Sequence, residues 1–486
     1  MTKERGSYNF MDNTKIMNQV LEFLNQWFAE NKRWITDTSD KIWELAEIRF
    51  EEFRSMEVLV EQFKKHGFTI RTNLVKGLPT AFVAEWSNGD GPVIGTIGEY
   101  DALPGLGYEI KPVKTPNGKN GHGCGHNLLG TGSMAAAIGA AKTMEKFGIK
   151  GTIRYFGCPA EENGGGKVYM VRDGVFDGLD AIVRWHPINA TFVSVSPSLA
   201  KTSIHYKFHG KSAHAGVTPH LGRSALDAVL LMDVGVNYLR EHILPDVRIH
   251  SVITNGGKTP NTVPDEAEIW YYVRAPRKND VDDAVKRMAK VAEGMAMATE
   301  TTVEIKEDNG GLAETLPNQT LCDRMLINLN RVGAPVFTDE EKAFARQMNE
   351  GLTEEAKAKS LRIYGITDPD IGKLDLYDRI CQDQGAGKIT PYSTDSGDAS
   401  WQAPMCQMFA VGQTIGTSNH SWQQTVCAGM SIGHKGMLCA GETLAMTALD
   451  IMTDADLLAK AKEEYNAQVK RFPYKNPLPP DLMPGV

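Results

Sequence analysis

The stretch Val93-Ile94-Gly95-Thr96-Ile97-Gly98-Glu99-Tyr100-Asp101-Ala102-Leu103-Pro104 decides the fold. Its first half is an apolar strand pattern that runs out into acidic and turn-forming residues. Two later stretches repeat the arrangement. Thr152-Ile153-Arg154-Tyr155-Phe156 leads to Pro159-Ala160-Glu161-Glu162, and Ala181-Ile182-Val183-Arg184-Trp185 leads to His186-Pro187. Between the first two lies a small-residue helix over about residues 128–147, stopped by Gly148. Strand, helix and strand in alternation predict an α/β domain with a mainly parallel sheet flanked by helices. In such a sheet, ligands and chemistry collect at the carboxyl ends of the strands. The residues just past each strand are therefore the first place to look for a site.

Upstream, residues 40–66 carry apolar positions at helical spacing, closed by His66-Gly67, and short strands follow at 68–70 and 81–84. Downstream the pattern changes over residues 198–309. Strand 203–208, helix 224–242, strands 248–254 and 267–273, helix 281–297 and strand 302–306 follow in β-α-β-β-α-β order. That order closes a four-stranded sheet with both helices on one face. It predicts an inserted domain at 198–309 between catalytic-domain parts 1–197 and 310–486. Residues 338–390 are charged, short of apolar periodicity and rich in loop glycines, which predicts surface helix and loop. A strand at 408–411, a helix at about 435–452 and an extended Pro-rich tail at 473–486 complete the chain.

A chain of 486 residues exceeds one ordinary core, which fits this two-domain division. The net charge of −8 argues against nucleic acid, whose binding rests on Lys and Arg, and favours small-molecule partners. No apolar run approaches the roughly 20 residues of a membrane span, and Met1-Thr2-Lys3-Glu4-Arg5-Gly6 lacks the apolar core of a signal peptide, so the expected location is cytoplasmic. Seven cysteines at irregular spacing, with no Cys-x-x-Cys, read as thiols rather than a disulfide framework. Cys158, Cys406 and Cys439 lie in apolar surroundings that predict burial.

Gly121-His122-Gly123-Cys124-Gly125-His126-Asn127 places a thiol and an imidazole two residues apart in a loop able to turn both toward one point. The helix that follows supplies positive potential that would favour a Cys124 thiolate. Glu161 and Glu162 are adjacent, so one carboxylate can bind a cation while the other handles protons. His186 and His420 add two imidazoles. The mixed N, O and S set suits Zn²⁺, with Mn²⁺ or Co²⁺ as alternatives. Five ligands are too many for one ion with an open position, which predicts two ions sharing a bridging ligand and a water. Asp101 is expected to accept the second N–H of a ligating histidine. A cysteine hydrolase with Cys124 as nucleophile and a histidine base is the competing chemistry. In the inserted domain, His214 lies in the loop Gly210-Lys211-Ser212-Ala213-His214-Ala215-Gly216, a place from which to donate to an oxyanion. Asn261 offers a polar donor and Arg274 a carboxylate-pairing fork. Spacing alone does not separate these three roles from surface ones.

Together with Ser212-Ala213-His214-Ala215 and Gly433-His434-Lys435-Gly436-Met437, these segments resemble the aminoacylase and glutamate carboxypeptidase superfamily of metallopeptidases. The resemblance runs in order from about residue 40 to 475 and is strongest to the aminobenzoyl-glutamate hydrolases of the amidohydrolase branch. It implies two divalent ions, Mn²⁺ or Zn²⁺, and an inserted ferredoxin-like domain that dimerises and acts as a lid. It also implies Cys124, His126, Glu162, His186 and His420 as ligands and Glu161 as general base. His214 would reach the partner subunit's site, and Asn261 and Arg274 would hold the amino-acid part of the substrate. The implied reaction is cleavage of N-acyl or N-aroyl amino acids, p-aminobenzoyl-glutamate foremost, by a homodimer or with a homologous second subunit. Asn127 stands where many members carry Asp, a departure shared with the aminobenzoyl-glutamate branch. Asp395 and Asp398 receive no role.

Overall fold

The computed structural model describes residues 10–485. In chain order the strands are β1 (Thr69–Thr72), β2 (Phe82–Ser87), β3 (Val93–Glu99), β4 (Thr152–Cys158), β5 (Ala181–Ile188) and β6 (Phe192–Ser194). They continue with β7 (Ala200–His209), β8 (Arg248–Asn255), β9 (Glu266–Ala275), β10 (Thr302–Leu312) and β11 (Met405–Val411). Seven of them form one sheet in the order β1-β2-β4-β3-β5-β11-β6. At its centre β4, β3, β5 and β11 run parallel, while β2 and β6 run against them. Buried on both faces, the central strands are almost continuously apolar, as parallel strands require. The helices Phe10–Leu45, His126–Phe147 and Ser431–Thr453 cover one face. The helix Gly166–Arg172 and the segment around Ala399 cover the other.

The remaining four strands form a second sheet, β10-β7-β9-β8, with every pair antiparallel. This is the strand order of a ferredoxin-like unit. Alternate residues of β7 and β9 (Ile204, Tyr206, Phe208; Ile269, Tyr271, Val273) pack with helices Ala225–Leu239 and Lys278–Thr299 into a separate core. The other alternate set, including Lys201, Ser203, Trp270, Tyr272 and Arg274, lies on the face turned away from those helices. Tyr272 donates from that face to Asn163 Oδ1 at 3.5 Å, next to the Glu161–Glu162 turn. Among the described residues no helix is long and apolar enough to cross a membrane.

The structure corrects two sequence expectations. The helix over residues 40–66 is broken, because Ala46 and Phe50 adopt left-handed backbone conformations between helices Phe10–Leu45 and Phe53–Lys65. Glu52, in the break, is buried and its Oε1 accepts the Ala160 N–H at 2.8 Å, so the interruption supports the Glu161–Glu162 turn. Residues 338–390 do contain the helices Asp339–Met348 and Glu354–Arg362, but they are more than surface. Ala345, Met348, Leu361, Ile366, Ile371 and Tyr377 are buried in a core shared with Phe192 and Phe409.

Candidate metal centre

The carboxyl ends of β3, β4, β5 and β11 lie side by side, which gathers residues distant in sequence. His420 is drawn in from the loop after β11 by its own N–H, which donates to Gly123 O at 2.8 Å, and its backbone is left-handed. The ligand atoms fall into two overlapping triads, each with its atoms within 4.8 Å of one another. Cys124, His126 and His186 form one, and Cys124, Glu162 and His420 the other. Cys124 is common to both. Its Sγ lies 3.5 Å from His186 Nε2, and His420 Nε2 lies 3.0 Å from Glu162 Oε1.

Asp101 fixes the arrangement from behind. Its Oδ1 sits 2.8 Å from His126 Nδ1, which leaves Nε2 to face the cluster, and its Oδ2 accepts the Glu162 N–H at 2.8 Å. His186 Nδ1 is likewise held, 3.0 Å from Pro187 O. A third triad joins Glu99, His126 and Glu161. His126 Nε2 and Glu99 Oε2 are buried 3.3 Å apart, without a hydrogen bond of good geometry among the described residues. Orphaned buried atoms of that kind, grouped around a thiol, fit divalent cations.

The protonation pattern agrees. Burial opposes charge on His126, yet Cys124 and Asp101 hold a proton on it and raise its pKa well above the usual imidazole value. Hydrogen bonds to Cys124 and Glu162 raise His420 to about 11. Burial and the nearby charge of His126 push His186 down to about 3. Protons thus occupy the cluster where cations would otherwise balance the acids. Burial pushes the Cys124 thiol up against the lowering pull of His126, so its anion needs a cation beside it. Burial and the carboxylates of Glu99, Glu162 and Asp395 raise Glu161 to about 8, a value suited to taking and returning a proton.

Beneath the triads lies an ion network that sequence reading missed. Lys167 Nζ, fully buried, sits 2.8 Å from Glu99 Oε1 and 2.5 Å from Asp395 Oδ1, and its backbone N–H donates to Asp395 Oδ2 at 2.9 Å. Ser396 Oγ also donates to Glu99 Oε1 at 3.2 Å. Lys167 follows Gly164-Gly165-Gly166 and reads as a solvated turn, so the sequence carried no signal for it. Glu99 had one, standing two residues before Asp101 at the same strand end.

A cavity of about 260 Å³ opens on the triads and is lined by Cys124, Glu161, His420, Arg184, Arg274 and Tyr392, among others. A larger one of about 480 Å³, lined by Glu161, Arg49, Phe50, Lys201, Trp270 and Tyr272 among others, runs between the two sheets. Glu161 lines both. Arg274 thus stands at the centre, with its guanidinium 3.4 Å from Ser393 Oγ. His214 and Asn261 line neither cavity. They are exposed neighbours at the far end of the inserted unit, where Ala215 N–H donates to Asn261 O.

Comparison with known proteins agrees with this geometry. Residues 201–300 match the peptidase dimerisation domain family. The chain is 42% identical to a p-aminobenzoyl-glutamate hydrolase subunit of Escherichia coli, over 96% of this chain and 99% of that one. It is 30% identical to the mouse Xaa-Arg dipeptidase, over 89% of each. Among solved structures, a dinuclear metal-binding M20 peptidase of Bacillus subtilis superposes with a TM-score of 0.58 at 17% identity, covering 87% of this chain and 99% of that one. Parallel strands that deliver a thiol, imidazoles and carboxylates to one point, in a chain with these relatives, lead to one assignment: the chain belongs to the M20 family of metal-dependent hydrolases, within the aminoacylase and glutamate carboxypeptidase superfamily.

Proposed function

We propose that this chain is a dinuclear amidohydrolase that cleaves the amide bond of N-acyl or N-aroyl amino acids, with p-aminobenzoyl-glutamate the leading substrate. The observation that carries the reading is the division of five ligand atoms into two triads sharing Cys124, with Glu161 beside them at the junction of two cavities. The relative from Escherichia coli supports the substrate by its name.

In this reading Cys124, His126 and His186 hold one ion and Cys124, Glu162 and His420 the other, Mn²⁺ or Zn²⁺ in each case. When bound, the ions supply Lewis acidity that activates a water and polarises the amide carbonyl. Glu161 takes the proton of the attacking water and returns it to the leaving amine. Asp101 keeps His126 in the tautomer that presents Nε2. Arg274 pairs with a carboxylate of the substrate. The inserted domain, residues 198–309, dimerises and closes as a lid on the catalytic domain of residues 1–197 and 310–486. His214 and Asn261, which reach neither cavity of their own chain, serve the partner's site. The proposed compartment is the cytoplasm, in keeping with seven free cysteines.

The test is the purified chain, loaded with Mn²⁺ or Zn²⁺ and given a panel of N-acyl amino acids, with metal content measured in parallel. Two ions per chain and turnover abolished by chelator are expected. Turnover that survives chelation would reinstate the cysteine-hydrolase chemistry. Activity that appears only on adding a homologous subunit would recast the chain as one half of a hetero-oligomer.

A further inference from the structure

Lys201 and Arg274 are direct cross-strand neighbours on β7 and β9, on the face turned away from the helices. Like charges placed opposite one another in a sheet destabilise it unless something neutralises them. Among the described residues no acid touches the pair; Glu161, Glu162 and Asp395 of the centre offset the Lys201 charge only from a distance. The Arg274 side chain donates a single long bond to Ser393, and the Lys201 side chain has no hydrogen bond or ion pair among the described residues. Lys201 Nζ rests 4.6 Å over the Tyr272 ring, with the Arg274 guanidinium 5.9 Å from the same ring. The acid sharing a cavity with Lys201 on its own sheet, Asp308, is engaged by Ser203 and His205 at 2.9 Å each.

The neighbouring strand is irregular beside this lysine. β10 slips register between Asp308 and Leu312, opposite Lys201, and Gly311 in the slip has φ of 87°. A Cβ at Gly311 would stand 2.6 Å from Lys201 O. Bulges next to active sites commonly re-aim a side chain, and this one borders the strand residue that faces Glu161's cavity. Burial, and after it Arg274, pushes the Lys201 ammonium below its ordinary pKa against the opposing pull of Glu161, Glu162 and Asp395, and a bound anion would relieve what remains.

We propose that Lys201 is a specificity-determining residue which, with Arg274, forms a two-cation cradle for a leaving amino acid bearing two carboxylates. The inference rests on the amidohydrolase reading and narrows its substrates to N-acyl or N-aroyl derivatives of dicarboxylic amino acids. Directly opposed residues in a sheet hold their Cβ atoms about 4.5–5.5 Å apart, comparable to the span between the two carboxylates of a glutamyl group. Arg184 and Arg49 also border the cavities, each donating one bond of 3.4 Å, to Gln407 Oε1 and Glu162 O respectively. Lys201 is the cation that stands directly opposite Arg274 in the sheet, and among the described residues its side chain has no hydrogen bond.

The experiment compares kcat/KM for p-aminobenzoyl-glutamate with that for p-aminobenzoyl-norvaline, which keeps the α-carboxylate and lacks the side-chain one. The metal-loaded wild type and its Lys201→Gln and Lys201→Arg variants are assayed together. Lys201→Gln is expected to lower the glutamate-to-norvaline ratio at least about tenfold, the loss of one charge-assisted contact, and Lys201→Arg to retain most of it. An active Lys201→Gln enzyme with the wild-type ratio overturns the cradle alone, as does a parallel loss of both substrates. A wild type that cleaves neither conjugate overturns the amidohydrolase reading itself, and the cradle with it.

Discussion

Glu161 and Glu162 are adjacent in sequence, yet their carboxylates face different neighbours, and substitution should separate them. Glu162 is buried against His420 and Cys124, whereas Glu161 lines both cavities. Glu161→Gln is expected to keep its metal and lose at least ~10²-fold in turnover, the low end of general acid–base contributions. Glu162→Gln is expected to lose metal instead. Elemental analysis beside steady-state kinetics checks both, and exchanged phenotypes would reverse the assignment of base and ligand. The same residues predict a pH dependence of metal uptake. Without cations, protons are shared among His126, His420 and the Cys124 thiol, whose pKa values are all raised, and one sits on Glu161 with a pKa of about 8. A cation must displace protons to bind, so affinity rises with pH. Release of at least one proton per ion makes the apparent Kd fall by about tenfold per pH unit between roughly pH 6 and 8, measurable by chelator competition. A pH-independent Kd would show that the cluster binds without giving up protons.

At the scale of elements, what could be read from sequence was whatever local periodicity reports. The ends of β3, β4 and β5 announced themselves because an apolar run stops at a charged residue; that pattern and the glycine-rich Cys124 loop gave four of the five candidate ligands, and His420 was added from a polar loop. Lys167, Asp395 and Arg184 did not, because a charged side chain turned inward leaves the same trace in sequence as one in solvent. Residues 338–390 were misjudged for the same reason: their charged faces hide the Leu361, Ile371 and Tyr377 contacts and the Tyr364 wall of the cavity. Close backbone approach is equally silent. Gly436, in the helix Ser431–Thr453, packs so tightly on β11 that a Cβ there would lie 1.8 Å from Val411 O, whereas a Cβ at Gly294, in the helix Lys278–Thr299, meets nothing within 4 Å. Gly436→Ala is therefore expected to destabilise by at least about 2 kcal/mol through overpacking. Gly294→Ala, at an exposed helix position, should be stabilising by up to about 1 kcal/mol. Denaturant titration of the two variants distinguishes them, and equal shifts would mean that the helix–strand contact is looser than drawn.

For the whole molecule, the separation of His214 from its own chain's centre is the feature that bears on assembly. His214 Nδ1 accepts the N–H groups of Gly216 and Val217 at 3.2 Å each, which holds the ring in an exposed turn with its far edge outward. In the proposed assembly a histidine so fixed, in the segment that matches the peptidase dimerisation domain family, would complete a neighbour's site. Donation to a developing oxyanion is worth about 3–4 kcal/mol when a single donor is removed. His214→Ala homodimers should accordingly lose ~10²–10³-fold in kcat with metal content intact. Glu161→Gln homodimers fail at the proton-transfer step. In a mixed dimer of the two variants, one site pairs an intact Glu161 with an intact His214 donated across the interface, while the other lacks both. Co-expression with different tags and purification of the heterodimer should therefore recover activity approaching half that of wild type. A heterodimer no more active than its parents would place His214 in its own chain's site, and the inserted domain would then have to swing inward to carry it there.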